Sequence, residues 1–208
     1  AFCNRSVFKC SMNQTVETVF PDIAIPSPTY SVAQAPDKDI YIGTESNGLY
    51  IYSENWKLKK HVPIDGIIAT ILPDNNGDIW LGLDETGICL FNKNKQTFTW
   101  LHKDNTNLNN NSIRTFVPYG DSSILVGTFR GLNILNKKEL TITPANNNIA
   151  GKGGLSHYSI HSMLIDKDQT LWIGTYSAGV NYHSPFYRPV SYITPNEYAG
   201  IIGKGQQD

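Results

Sequence analysis

Four segments of the chain share one pattern: a short apolar stretch that ends in glycine, then a second glycine a near-constant distance on. They read Ile40-Tyr41-Ile42-Gly43-Thr44, Ile79-Trp80-Leu81-Gly82-Leu83, Ile124-Leu125-Val126-Gly127-Thr128 and Leu171-Trp172-Ile173-Gly174-Thr175. The first glycines lie 39, 45 and 47 residues apart. Gly48, Gly87, Gly131 and Gly179 follow them, each succeeded by an apolar residue: Leu49, Ile88, Leu132 and Val180. A repeat of this period describes a chain of equivalent units, because one such unit cannot bury its apolar face alone.

Each unit reads as four short strands. In the fourth copy these are expected at Ile160–Ile165, Thr170–Thr175, Val180–His183 and Val190–Ile193, with Asp166-Lys167-Asp168-Gln169 as the first turn and Pro185 as a break. The second strand is apolar on both faces, as a strand packed between two layers must be. Its glycine is expected to admit a neighbouring backbone closely. Turn residues fall between the strands, at Asp37-Lys38-Asp39 and Asp74-Asn75-Asn76-Gly77. Eleven Tyr, eight Phe and four Trp, with 17 Gly and 11 Pro, suit such an all-β chain. Four strands per unit, with Gly and aromatic residues at fixed offsets, predict an all-β fold: a β-propeller of four-stranded antiparallel blades.

At about 45 residues per blade the 208 residues hold four to five blades. The expected division is 1–29 for outer strands of a preceding partial blade, then blades at 30–63, 64–108, 109–155 and 156–198. Residues 199–208 are expected to open a further blade, because Ile202 to Asp208 repeats the spacing of Ile68 to Asp74 and of Ile160 to Asp166. The expectation is therefore a fragment of a larger ring. A net charge of −1 and a pI near 6.6 argue against binding nucleic acid by phosphate neutralisation. No apolar run approaches the 18 residues of a membrane-spanning helix. Cys3, Cys10 and Cys89 are too few, and odd in number, for a complete disulfide framework. Cys3 and Cys10 are spaced to pair across a hairpin, or all three are buried thiols.

The stretches Asp74 to Phe116 and Leu155 to Pro185 resemble the two-component regulator propeller repeat: a D-x-x-G-x-L-W-I-G-T-like run, a short turn, Gly-Leu, then a strand with Asn or Tyr. The resemblance extends over about residues 30 to 208. Copy one carries Tyr41 in place of the Trp, and copy three has Tyr119-Gly120-Asp121 at the turn and no Trp. The resemblance implies the periplasmic sensor region of a hybrid two-component regulator, itself anchored in the inner membrane through a segment outside this chain. That would be one of two seven-bladed propellers, working as a homodimer with the remaining blades of the same ectodomain. It implies oligosaccharide sensing, no cofactor and no catalysis in this chain, which carries no kinase motif.

In a four-stranded blade the 2–3 turns and the 4–1 connections share one face. The 4–1 connections Lys103 to Ser112 and Pro144 to Ser159 are polar and variable, which is where recognition usually resides. Asn110, His157 and Tyr158 are candidate ligand contacts there. Asn offers paired donors and acceptors to sugar hydroxyls, or else simply forms turns. Arg130 beside Phe129, and Tyr176, are candidates on the 2–3 turns, an aromatic-and-cation pair suited to stacking on sugars. Arg114 and His161 stand second in their innermost strands, placed to line a central channel. No metal site is expected: His157 and His161 lack the H-E-x-x-H pattern. Gly151-Lys152-Gly153-Gly154 lacks phosphate-loop spacing, and Asp166 and Asp168 read as turn formers rather than an acid–base pair. Two rival functions remain, an interaction scaffold with no small ligand and a propeller lyase or glycosidase.

Overall fold

The computed structural model describes residues 2–3, 6–10, 16–18, 25–145, 154–185 and 187–193. A three-stranded sheet of β1 (Phe2–Cys3), β2 (Ser6–Cys10) and β3 (Val16–Thr18) precedes four blades. Blade one is β4 (Thr29–Gln34), β5 (Ile40–Thr44), β6 (Leu49–Tyr52) and β7 (Leu58–Val62). Blade two is β8 (Ile68–Pro73), β9 (Asp78–Leu83), β10 (Gly87–Asn92) and β11 (Thr97–Leu101). Blade three is β12 (Ile113–Tyr119), β13 (Ser123–Thr128), β14 (Gly131–Asn136) and β15 (Ile142–Pro144). Blade four is β16 (Ile160–Ile165), β17 (Leu171–Thr175), β18 (Val180–Ser184) and β19 (Tyr187–Ile193). Every blade is an antiparallel meander in chain order, and successive blades meet through the innermost strands β4, β8, β12 and β16. The fold is an all-β propeller assembly. The further strand expected after residue 199 lies outside the described residues. The strands that hold Cys3 and Cys10 are described, and their register sets Cys3 opposite Ser6 and Cys10 opposite Val16 rather than the two cysteines opposite each other.

The second strands explain the architecture. All five residues of β5 are buried, as are the last five of β9 and of β13. A strand buried on both faces needs an apolar layer on each side, so the cores lie between blades rather than within them. Tyr41, Leu49 and Ile51 of blade one pack with Ile68, Ile79, Leu81 and Phe91 of blade two. Trp80 and Ile88 of blade two pack with Ile113, Phe116, Val126 and Leu135 of blade three. Leu125 and Leu132 of blade three pack with Ile160, Leu171 and Ile173 of blade four.

The repeated glycine sets the approach of those layers. A Cβ on Gly43 would stand 2.6 Å from Ile68 Cγ2. On Gly82 it would stand 2.5 Å from Ile113 Cγ2, and on Gly127 2.7 Å from Ile160 Cγ2. The glycine therefore admits a side chain, not the backbone expected from sequence: each time it is the isoleucine that opens the innermost strand of the next blade or lies at its start.

The opposite edge of the junctions is polar. Lys93, just after the third strand of blade two, reaches back to the first turn of blade one, with Asp37 at 2.5 Å and Asp39 at 3.3 Å. Lys137, at the equivalent place in blade three, reaches Asp74 of blade two at 3.0 Å. Lys59 also pairs with the buried Asp39. The hydrogen bond from Lys93 holds the Asp37 carboxyl below its usual range. Burial pulls the Lys93 ammonium down, but its bonds to Asp37 and its position beside Tyr41 outweigh this and hold it above its usual range. The turns themselves close as their Asp residues predict: Asp166 accepts hydrogen bonds from the backbone N–H groups of Asp168 and Thr170 and from the Trp172 indole.

Two predictions follow from these junctions. Gly82→Ala forces a methyl into Ile113 and should cost about 1–3 kcal/mol in chemical denaturation. The loss in Gly82→Ala with Ile113→Ala should be less than the sum of the single losses. A carboxyl with a depressed folded pKa contributes stability that is present above its unfolded value and lost as pH falls through the folded one. The stability gap between wild type and Lys93→Ala should therefore be open at pH 6 and shrink steadily below about pH 4. Denaturation curves across that range read it directly.

Candidate functional site

Each innermost strand opens with a bulge against its partner, between Thr29 and Ser31, Ile68 and Thr70, Ile113 and Thr115, and Ile160 and Ser162. A bulge places one unpaired residue and re-aims its side chain. The residues so placed are Tyr30, Ala69, Arg114 and His161. They form a row at the ends of the innermost strands, beside the 4–1 connections.

The 2–3 turns are zipped to the same edge. Glu45, Asp84, Phe129 and Tyr176 each open a turn and donate their backbone N–H to the carbonyls of Pro28, Ile67, Ser112 and Ser159, at 2.9 to 3.0 Å. Three of the turns are capped by the threonine of the repeat. Thr44, Thr128 and Thr175 donate their hydroxyls to the carbonyls of Gly48, Gly131 and Gly179. In the second blade Leu83 replaces the threonine.

Buried asparagines of the third strands hold the 4–1 connections down. Asn133 accepts from the Asn109 backbone N–H at 3.2 Å and donates to Asn109 Oδ1 at 2.9 Å. Asn181 accepts from the Ser156 N–H at 2.9 Å and donates to Ser156 Oγ at 2.8 Å. A buried amide so paired pins a loop that has no strand partner of its own.

Four of the sequence candidates, Arg130, His157, Tyr158 and Tyr176, lie on the turns and connection of blades three and four. Ile160 is seated on Gly127 of β13, two residues before the turn that carries Phe129 and Arg130. The Tyr176 N–H bond to Ser159 sets Tyr176 next to His157 and Tyr158. Tyr176 is 75% exposed, Tyr158 57% and Phe129 49%, and Arg130 is exposed beside them. His157 Nδ1 accepts the N–H of Ser159, which fixes the ring over the loop. Arg114 and Asn110 stand at the preceding junction instead. Arg114 pairs with Asp84 of blade two at 3.6 Å. Asn110 Oδ1 accepts the N–H of Ser112 and shapes the turn into β12. Tyr30 and Asp84 join this face without having been singled out. Their signal was present in the repeat: Tyr30 occupies the same strand position as Arg114 and His161. Among the described residues no three His, Cys, Asp or Glu side chains converge to hold a metal.

Residues 154–177 match the family model described as two component regulator propeller. That stretch, in blade four, is similar to a two-component regulator propeller repeat. The matched stretch contains His157, Tyr158, His161 and Tyr176, so the propeller repeat itself supplies much of the exposed cluster. No curated protein matches the chain in sequence. Among solved structures it is similar to the extracellular domain assigned to the hybrid two-component system BT4673 of B. thetaiotaomicron. That likeness has TM-score 0.70 and 17% identity, over 93% of this chain and 28% of that one. The extracellular domain assigned to BT3049 of the same organism gives TM-score 0.65 and 16% identity, over 80% and 24%. PorZ of Porphyromonas gingivalis, a surface component of the type-IX secretion system, gives 0.58 and 17%, over 80% and 28%. The chain spans about a quarter of the length of each, and likeness at this identity shows the fold.

The asparagine hooks make a testable claim about this face. Asn133→Ala strips the buried partner from Asn109 and should cost about 1–3 kcal/mol. Hydrogen exchange at the Asn109 amide should quicken well beyond the change in global stability.

Proposed function

We propose that these blades are the ligand-sensing part of an extracytoplasmic region of a signal-transducing regulator, and that the ligand is an oligosaccharide. The observation that carries this reading is the exposed group Phe129, Arg130, His157, Tyr158, His161 and Tyr176, held on one face by backbone and asparagine bonds. Solvent-facing aromatic rings on rigid turns supply stacking surface at little conformational cost, and Arg and His add directed hydrogen bonds. The propeller repeat match, and solved relatives described as extracellular domains of two-component systems, support the sensor role and a periplasmic location. Partner blades and a second copy of the protein would complete the receptor, with signalling by rearrangement of rigid bodies. The cluster lacks the convergent carboxylates of a glycosidase, which favours binding over catalysis.

Calorimetric titration of the full chain against a panel of glycan oligosaccharides tests the reading. Binding should weaken at least tenfold in Arg130→Ala with Tyr176→Ala, and the circular dichroism spectrum should be unchanged. Wild-type binding that the double variant retains would move the site off this face. No heat with any oligosaccharide would leave the scaffold reading in its place.

A further inference from the structure

The polar edge of the third junction breaks the rule that the first two obey. Counted from the second glycine of each repeat, Lys93 and Lys137 hold the position that Pro185 holds in blade four. Counted from the first glycine, the position of Asp74 in blade two belongs to Tyr119 in blade three. The clasp that ties blade three to blade two, Lys137 on Asp74, thus has neither its cation nor its acid here, while Asp121 keeps the position that Asp37 holds in blade one. A third departure lies beneath. Tyr52, Phe91 and Leu135 are at most 1% exposed and occupy one position of the third strand. In blade four that position is His183.

At this junction a groove of about 500 Å3 lies on the face of the 1–2 and 3–4 turns, about twice the 240 Å3 of the cavity beside the clasp of blades one and two. Pro118, Tyr119, Gln169, Leu171, His183 and Pro185 are among its walls. Tyr119 is 44% exposed. His183 is half-buried, and its Nδ1 is enclosed without a hydrogen-bond partner among the described residues.

We propose that this groove is a second binding site, specific for a neutral sugar ring. Its volume falls in the range of small-molecule sites, about 300–1,000 Å3. The tyrosine ring and two prolines offer flat surfaces to the C–H face of a pyranose, and His183 and Gln169 offer hydrogen bonds to its hydroxyls. The described walls hold no Lys, Arg, Asp or Glu, whereas the closed junctions are built from them. A charged ligand would enter without a counter-charge, which is unfavourable.

Saturation-transfer NMR on the full chain tests this with methyl β-D-glucoside, methyl β-D-galactoside, methyl α-D-mannoside and glucuronic acid as probes. At least one neutral glycoside should bind, and glucuronic acid should bind more weakly than it. Tyr119→Ala and His183→Leu should each weaken binding about tenfold. His183→Leu installs the residue blade three uses, so it should unfold no earlier than wild type, and its loss of binding is not loss of fold. Tyr119→Asp with Pro185→Lys rebuilds the clasp and should abolish binding. Arg130→Ala with Tyr176→Ala should leave it intact, which separates this site from the one proposed on the other face. The proposal is overturned if no neutral glycoside binds, or if glucuronic acid binds better. It is equally overturned if binding survives the rebuilt clasp or is lost with Arg130 and Tyr176.

Discussion

One contact governs this molecule: an isoleucine at the start of each innermost strand set against a glycine in the second strand of the preceding blade. It appears as Ile68 on Gly43, Ile113 on Gly82 and Ile160 on Gly127. A side chain larger than hydrogen would collide there, so the contact sets the distance between blades and the angle at which they meet. Close packing then fills the junction with apolar residues from two blades at once. A blade alone would leave half of that core in water, which is why the units occur in series.

The same contact prepares the surface for function. The residue after each of these isoleucines is the bulged one, so anchoring the isoleucine anchors Ala69, Arg114 and His161 at the rim. The turn threonines and third-strand asparagines then brace the neighbouring loops. What the copies share is scaffold. Where they differ, chemistry appears: Arg130 and Tyr176 on exposed turns, and Tyr119, His183 and Pro185 where an ion pair and an apolar side chain stand in other blades.

Much of this was legible in the sequence. The four strands expected for the fourth copy, at 160–165, 170–175, 180–183 and 190–193, compare with observed strands at 160–165, 171–175, 180–184 and 187–193. Period-two and glycine signals are local, so they survive without the tertiary structure. The asparagines of the 4–1 connection were harder. Asn105, Asn109, Asn110 and Asn111 all resemble sugar contacts in composition, yet each uses its side-chain oxygen on a nearby backbone or side-chain group. Their partners come from Asn133 across the blade and from the loop's own return, neither of which spacing reveals. Arg114 is similar: its partner Asp84 lies thirty residues back, and only the ring brings them together.

The sequence by itself determined the blade, its four strands, its turns and the face on which variable loops gather, because each rests on patterns a few residues long. It determined that the chain repeats, and hence that its core is shared between units. The tertiary structure decided what fills each glycine, which lysine meets which aspartate, and where the junction is left open. Those depend on residues 25 to 63 positions apart meeting at one point, and only the assembled blades bring such distant positions within a side chain's reach.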